Sequence, residues 1–225
     1  MSSSPSSTTS TITVSLPQLA KLIDHALLQP NLTDAEIETG LALAKNYKVA
    51  TACIKPYSIP SAKAALAGTG VLICAVFGFP HGNSTTEVKV FEATAAARAG
   101  ADEIDMVAAA LKVIFENDYL QDTQIARLCR ICSDQPNGAY NYTGATIPHV
   151  KLMRETCAKE VQIKASGGIR SLDEVLYMMH LGVSRIGTSG TVGILEEARK
   201  RGIGEDPVQV PLVTPGGVEK LPIAY

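Results

Sequence analysis

The sequence predicts an α/β fold, in which a parallel sheet is covered by helices, on two observations. First, short continuous apolar segments alternate with segments of helical periodicity along most of the chain, as in strands that are buried on both faces between helices. Second, polar residues recur where these strands end, at Asp24, Lys55, His81, Asp105, Lys164, Thr188 and Ser189. A (β/α)₈ barrel builds its active site at the carboxyl ends of its strands, and we therefore expect this barrel. A doubly wound sheet also binds its ligand at strand ends and stays an alternative.

The first half of the chain gives a regular series of elements. Residues 22–28 (LIDHALL) are typical of a short strand that carries polar groups. Thr33 and Glu36 have the spacing of a capping box, and the helix that they begin carries Ile37, Leu41 and Ala44 on one face. The segments that follow are predicted to be strand, helix, strand, helix and strand, over ATACIKP, residues 59–67, GVLICAVFGFPHG, residues 85–100 and ADEIDMV.

The segment VQIKASGGIR, from Val161 to Arg170, combines a strand, a lysine and a glycine turn. Lys164 ends the apolar strand, and Gly167 and Gly168 precede a helix that is capped by polar residues. Backbone N–H groups converge at such a turn and can bind an anion. Burial would lower the pKa of Lys164 toward the range in which an amine accepts and donates protons. A surface lysine beside an ordinary turn is the alternative interpretation.

Composition narrows the class of protein. The 225 residues include 20 basic and 22 acidic ones, a net charge of −2 that predicts neither nucleic acid nor a membrane as partner. Residues 1–15 are predicted to be a disordered Ser/Thr-rich tail, residues 16–205 the barrel domain and residues 206–225 a C-terminal tail. Five scattered cysteines and the lack of a signal pattern favour the cytoplasm. Cys129 and Cys132 lie in a helical pattern, where their spacing indicates one helix face more readily than a metal or redox site.

Two places break the βα alternation. ADEIDMV and LKVIF both have the pattern of strands, yet only residues 108–110 separate them. Because parallel neighbours need a crossover of about a dozen residues or more, either one segment is not a strand or a crossover has been lost. Further on, the predicted helix around residues 125–131 is followed by the segment SDQPNGAYNYTGAT and then by the predicted helix near Ile147. No buried strand is predicted between these two helices. We therefore expect an incomplete barrel of about seven strands in which the sixth is missing.

Six segments in this order resemble deoxyribose-phosphate aldolase: LIDHALLQP, CIKP, VFGFPHGNSTTEVKVFE, AGADEIDMV, IKASGGIR and RIGTS. The resemblance implies a TIM-barrel class I aldolase that cleaves 2-deoxyribose 5-phosphate to glyceraldehyde 3-phosphate and acetaldehyde, a step of deoxyribonucleotide catabolism. It implies a Schiff-base lysine, a second lysine and an aspartate for proton transfer, and no metal or cofactor. A small phosphosugar is the expected partner, and a homo-oligomer is expected as the assembly.

The resemblance also implies roles for individual residues. The proton-transfer pair corresponds to Asp105 and Lys164, although Asp105 could instead be a buried acid with a purely structural role. The phosphate-binding backbone corresponds to Gly167, Gly168 and Ser189, where Gly190 replaces the family's second serine. Asp24 corresponds to a position near the substrate.

The family's FVKTSTG motif, which carries the Schiff-base lysine, is absent. Lys164 is the best substitute nucleophile, and Lys55 and Lys112 are weaker candidates. We therefore expect a weak or inactive aldolase, since the loss of a covalent catalyst costs orders of magnitude in rate. The alternative is a catalytically inactive truncated isoform, or the product of a gene-model error, that retains a phosphate site. A different phosphosugar lyase or isomerase on the same barrel is a minor third possibility.

Overall fold

Strands and helices alternate along the chain as predicted. The computed structural model describes residues 10–80, 82–106, 113–115, 122–133, 139–141 and 146–215. The strands are β1 (Thr11–Val14), β2 (Ile23–Leu27), β3 (Thr51–Ile54), β4 (Leu72–Phe77), β5 (Glu103–Met106), β6 (Val113–Phe115), β7 (Ala139–Asn141), β8 (Ile163–Ser166), β9 (Arg185–Thr188) and β10 (Val208–Pro211). The helices are α1 (Leu16–Leu22), α2 (Asp34–Tyr47), α3 (Ile59–Leu66), α4 (Thr86–Ala99), α5 (Asp122–Ser133), α6 (Ile147–Thr156), α7 (Leu172–His180) and α8 (Thr191–Lys200), with a 3₁₀ turn over Pro56–Ser58. Among the described helices, none has the length and apolarity to cross a bilayer.

Strands β2 to β9 form a closed barrel in which every neighbouring pair is parallel and follows chain order. Strand β9 returns to β2, where Asp24 is level with Gly187. The predicted α/β barrel is therefore confirmed. The apolar core includes residues from strands and helices alike, such as Ile163, Leu41 and Val175, which are fully buried.

Local sequence explains where two of the helices begin. The Thr33 hydroxyl accepts from the backbone N–H of Glu36, and the Glu36 carboxylate accepts from the N–H of Thr33 at 2.8 Å. Ser171 and Glu174 make the same reciprocal capping box at the start of α7. Each box satisfies backbone donors that have no partner inside the helix. The capping that the sequence predicts at both places is thus present.

The sixth strand of the barrel is present, and the expectation of about seven strands with the sixth missing is wrong. This strand is β7, which pairs with β6 at Val113 and Ala139 and with β8 at Tyr140 and Lys164. It has only three residues and lies in a segment rich in polar residues and glycine. A continuous apolar run, the signal used to predict the other strands, is therefore absent from it.

The connection from β5 to β6 is much shorter than a usual crossover. Residues 107–112 alone join the two strands, which is fewer than a helical crossover requires. Both segments are nevertheless strands, and their register consists of the single pair Met106 and Val113. On α4, which precedes β5, Phe91 is 74% exposed and Val88 is 45% exposed. These exposed apolar side chains give α4 an uncovered apolar face.

The predicted tails are partly structured. Within the expected tail 1–15, β1 pairs antiparallel with β10, which lies in the expected tail 206–225. The side chain of Val14 is fully buried, and that of Val210 is 8% exposed. The boundaries of the barrel domain therefore need correction, because strands from both ends pack on it. Residues 1–9 and 216–225 lie outside the described part of the chain.

Candidate active site

The structure brings Lys164, Asp24 and Asp105 together inside the barrel. Lys164 Nζ lies 2.6 Å from Asp24 Oδ2 and 2.8 Å from Asp105 Oδ2, and all three side chains are at least 96% buried. The three residues come from β8, β2 and β5. Because side chains alternate along a strand, Lys164 points to the opposite side from its neighbours Ile163 and Ala165. These three sequence-predicted residues therefore form one cluster.

A glycine on the next strand makes room for this lysine. A Cβ atom on Gly187 would lie 3.1 Å from Lys164 Cε and 2.3 Å from the Ser166 hydroxyl oxygen. The second distance is far inside van der Waals contact. Gly187 thus permits the close approach of β9 to the lysine stem.

Arg185 extends the cluster into a chain of ion pairs. Its Nη1 lies 2.6 Å from Asp24 Oδ1, and its Nη2 lies 2.7 Å from Glu103 Oε1. The Thr51 hydroxyl also donates to Asp24 Oδ1, at 2.9 Å. Asp24 therefore has one oxygen held by Arg185 and Thr51, while the other oxygen faces Lys164. This arrangement fixes the orientation of the carboxylate.

The pKa of Lys164 moves in the direction opposite to the one expected from sequence. Burial lowers it, but the carboxylates of Asp105 and Asp24 together outweigh burial and raise the pKa of Lys164 well above its usual value. The expectation of a lowered pKa is therefore wrong for this state of the protein. Lys164 is an ammonium ion that can donate a proton, and it becomes a nucleophile only after it loses one.

Two thiols adjoin the same carboxylate. Cys53 Sγ donates a weak hydrogen bond to Asp105 Oδ2 at 3.7 Å, and Cys74 lies level with Cys53 on the neighbouring strand β4. A hydrogen bond with Cys53, together with burial, raises the pKa of the Cys74 thiol well above its usual value. Cys74 is therefore a neutral thiol at neutral pH.

The residues predicted to bind phosphate lie at the carboxyl ends of β8 and β9. Gly167 and Gly168 have φ angles of 88° and 75°, which glycine adopts without strain, and Ser189 is exposed. The Thr188 hydroxyl ties the two turns together, because it donates to the carbonyl of Ile169 at 2.6 Å and accepts from the N–H of Gly190 at 2.8 Å. The Gly190 N–H is thus already used within the protein.

His25 is buried beside the start of α8. Its Nδ1 lies 2.8 Å from the hydroxyl oxygen of Thr191, the first residue of that helix. Burial lowers the pKa of His25 from 6.5 to about 4. The ring is therefore neutral at pH 7 and connects β2 to α8.

The remaining candidates lie apart from this cluster or outside the described residues. Lys55 donates to the carbonyl of Gln29 at 2.8 Å and lies over the ring of Tyr57, so its amine is occupied on the surface. His81 and Lys112 lie outside the described residues.

Sequence reasoning missed four residues of the site, namely Arg185, His25, Cys53 and Cys74. A charged or polar residue within an apolar strand was the available signal for the first two. The two cysteines looked like ordinary apolar residues.

Replacement of Arg185 by methionine should destabilise the fold, because it removes the cation that bridges two largely buried carboxylates. We expect the free energy of unfolding to fall by roughly 3 kcal/mol, measured by urea denaturation. Arg185→Lys should recover only part of the loss, since lysine cannot span both carboxylates. Arg199→Met is the matched control; its pair with Glu196 is exposed, and the change should stay below about 1 kcal/mol. Equal losses at both positions would contradict this account.

The depressed pKa of His25 predicts a specific loss of stability in acid. Between pH 6.5 and 4 the unfolded chain binds a proton at His25 that the folded chain does not bind. The free energy of unfolding is therefore unaffected by this proton above pH 6.5 and decreases as the pH falls toward 4. We expect a loss of about 3 kcal/mol over this range. The His25→Asn variant should not show this loss of unfolding free energy, although it should show the same pH dependence from the carboxylates. Parallel pH profiles of unfolding free energy for the two proteins would count against a neutral His25.

Comparison with known proteins gives a consistent result, although no protein-family profile matches the chain. The deoxyribose-phosphate aldolase of Rhodopirellula baltica is 39% identical over 217 residues, which cover 81% of this chain and 90% of that protein. The enzyme of the same name from Caldanaerobacter subterraneus is 36% identical over 84% of this chain and 97% of its own length. The tetrameric deoxyribose phosphate aldolase of Aeropyrum pernix superposes with a TM-score of 0.76 at 26% identity, covering 83% of this chain and 93% of that one. With its barrel, its buried lysine and these relatives, the chain belongs to the deoxyribose-phosphate aldolase family.

Proposed function

We propose that this chain cleaves 2-deoxy-D-ribose 5-phosphate to D-glyceraldehyde 3-phosphate and acetaldehyde, with Lys164 as the amine. The observation that carries the proposal is the position of Lys164 between two carboxylates from other strands, at 2.6 and 2.8 Å. A lysine that must gain and lose a proton needs a proton acceptor within hydrogen-bond distance, and Lys164 has two. On the neighbouring strand β7, the residue in register with Lys164 is Tyr140, so that strand supplies no second amine.

The chemistry follows from this arrangement. Lys164 passes its proton to a carboxylate, attacks the aldehyde carbon C1 of the open-chain sugar and expels water to form a protonated imine. The imine accepts the electron pair of the C2–C3 bond as that bond breaks, while the C3 hydroxyl gives its proton to a carboxylate. Protonation at C2 and hydrolysis then release acetaldehyde and restore the amine. Asp105 and Asp24 are the proton carriers in these steps.

Turnover should be slow compared with relatives that have a separate Schiff-base lysine. The raised pKa of Lys164 means that only a small fraction of the amine is neutral at pH 7, and each unit of pKa costs about 1.4 kcal/mol. A single lysine must also serve as both nucleophile and proton donor. The same observation supports the second candidate function, a protein that binds the phosphosugar without turning it over.

The phosphate of the substrate is assigned to the turns after β8 and β9. Gly167 and Gly168 have positive φ angles and are half-buried, and the first N–H groups of α8 lack partners within that helix. Ser189 is exposed at the same end of the barrel.

Cellular role and assembly follow from the same assignment. The reaction belongs to deoxyribonucleotide catabolism, and the substrate would be met in the cytoplasm. A homo-oligomer is the proposed assembly, supported by the tetrameric relative from Aeropyrum pernix and by the exposed apolar residues of α4.

Reduction with borohydride in the presence of acetaldehyde tests the role of Lys164. We expect one reduced adduct per chain, assigned to Lys164 by peptide mass mapping, because a trapped imine becomes a stable secondary amine. Lys164→Arg keeps a cation near Asp24 and Asp105 but cannot form an imine, so it should give no adduct while remaining folded. Lys55→Met is the control and should label fully. An unlabelled Lys164 in the folded protein would reject catalysis by this residue and leave the binding function.

Substitution of Gly168 tests the phosphate site. Gly168→Asp would place a carboxylate at the turn, and we expect the affinity for glyceraldehyde 3-phosphate, measured by calorimetry, to fall at least about tenfold through charge repulsion. Gly168→Asn is the matched control, because asparagine tolerates positive φ equally well but is neutral. Similar affinities for the two variants would show that phosphate binds elsewhere.

A further inference from the structure

Beside the Lys164 cluster, the barrel contains two buried thiols that the proposed reaction does not use. Cys53 on β3 and Cys74 on β4 are level with each other, and both are buried. Their sulfur atoms and one carboxylate oxygen of Asp105 all lie within 4.8 Å of one another. We propose that Cys53, Cys74 and Asp105 form a binding site for a soft divalent cation such as Zn²⁺, with water as the fourth ligand.

The spacing of the donor atoms fits tetrahedral zinc. Zinc–sulfur bonds of about 2.3 Å and zinc–oxygen bonds of about 2.1 Å place sulfur and oxygen ligands about 3.6 Å apart in a tetrahedron. Cys53 Sγ and Asp105 Oδ2 are 3.7 Å apart. Cys53 and Asp105 are therefore already at this spacing, and Cys74 Sγ on the adjacent strand lies within 4.8 Å of both donor atoms.

The charge balance also permits a cation here. Binding deprotonates two thiols, because the thiolate is the form that ligates metals. Two protons thus leave as one divalent cation enters, and the net charge of the buried pocket stays unchanged. The large cost of adding charge to a buried site is avoided.

The neighbouring ammonium group is also accommodated. Without the cation, Lys164 and Cys53 both contact Asp105 Oδ2. When the cation binds Asp105, Lys164 keeps its shorter contact of 2.6 Å with Asp24 Oδ2. The cation therefore withdraws Asp105 from its partnership with Lys164. Since the proposed lyase reaction uses Asp105 as a proton carrier, cation binding and turnover exclude each other.

Cadmium provides the direct test, because it binds like zinc and its thiolate complexes absorb in the ultraviolet. The metal-free protein should bind one Cd²⁺ per chain tightly, with the thiolate absorption band and the release of two protons in weakly buffered solution. Cys53→Ala and Cys74→Ala should each weaken binding at least about 100-fold, since loss of a direct ligand costs more than loss of an outer-sphere partner. Cys157→Ala, which removes a buried thiol between α5 and α6, is the control and should change neither band nor affinity.

Three results would overturn the proposed cation site. The first is a cadmium–thiolate absorption band that persists in Cys53→Ala or in Cys74→Ala, the second is loss of this band in Cys157→Ala, and the third is the absence of tight cadmium binding. X-ray absorption at the cadmium edge, on the unaltered chain, gives an answer even where a variant fails to fold. Two sulfur ligands with oxygen support the proposal. Three sulfur ligands would instead indicate a different set of thiols, and a shell without sulfur would exclude thiol ligation. None of these measurements depends on aldolase activity.

Discussion

The ammonium group of Lys164 lies between carboxylates from β2 and β5, and this contact constrains both sides of the barrel. A shift of one residue in the register of a strand moves its side chains to the opposite face. For β2 or β8, such a shift would leave a buried charge without its partner, which costs several kcal/mol. Arg185 extends the same constraint to β9. The same ion pairs therefore favour the register of these strands and set the geometry of the site.

Local signals explain what could be predicted from the sequence. Apolar runs identify strands such as β4, and reciprocal capping residues such as Thr33 and Glu36 locate helix starts, since both depend on neighbours in the chain. The grouping of Asp24, Asp105 and Lys164 could also be expected, because all strands of a parallel barrel end at the same rim. The family resemblance added a chemical role to each of them.

Interactions between distant segments explain what could not be predicted. The pKa of Lys164 depends on two carboxylates whose distances the sequence does not contain, so reasoning from burial alone gave the wrong direction. Arg185 looked like a residue at the start of a strand, and only the fold shows that it joins Asp24 to Glu103. Strand β7 has three residues and no apolar run of its own. Its place is set by the strands on either side of it, as expected when tertiary context overrides local propensity.

The pairing of β1 with β10 has a consequence for the order of events during synthesis. Thr11 pairs with Pro211, and the N–H of Leu212 donates to the carbonyl of Ser10. Contacts of such large sequence separation form late, because the loop between them must first be closed. A nascent chain cannot make this ribbon until the residues of β10 have left the ribosome, after those of every barrel strand. Strand β1, though made before the barrel strands, waits without its partner while the barrel assembles behind it.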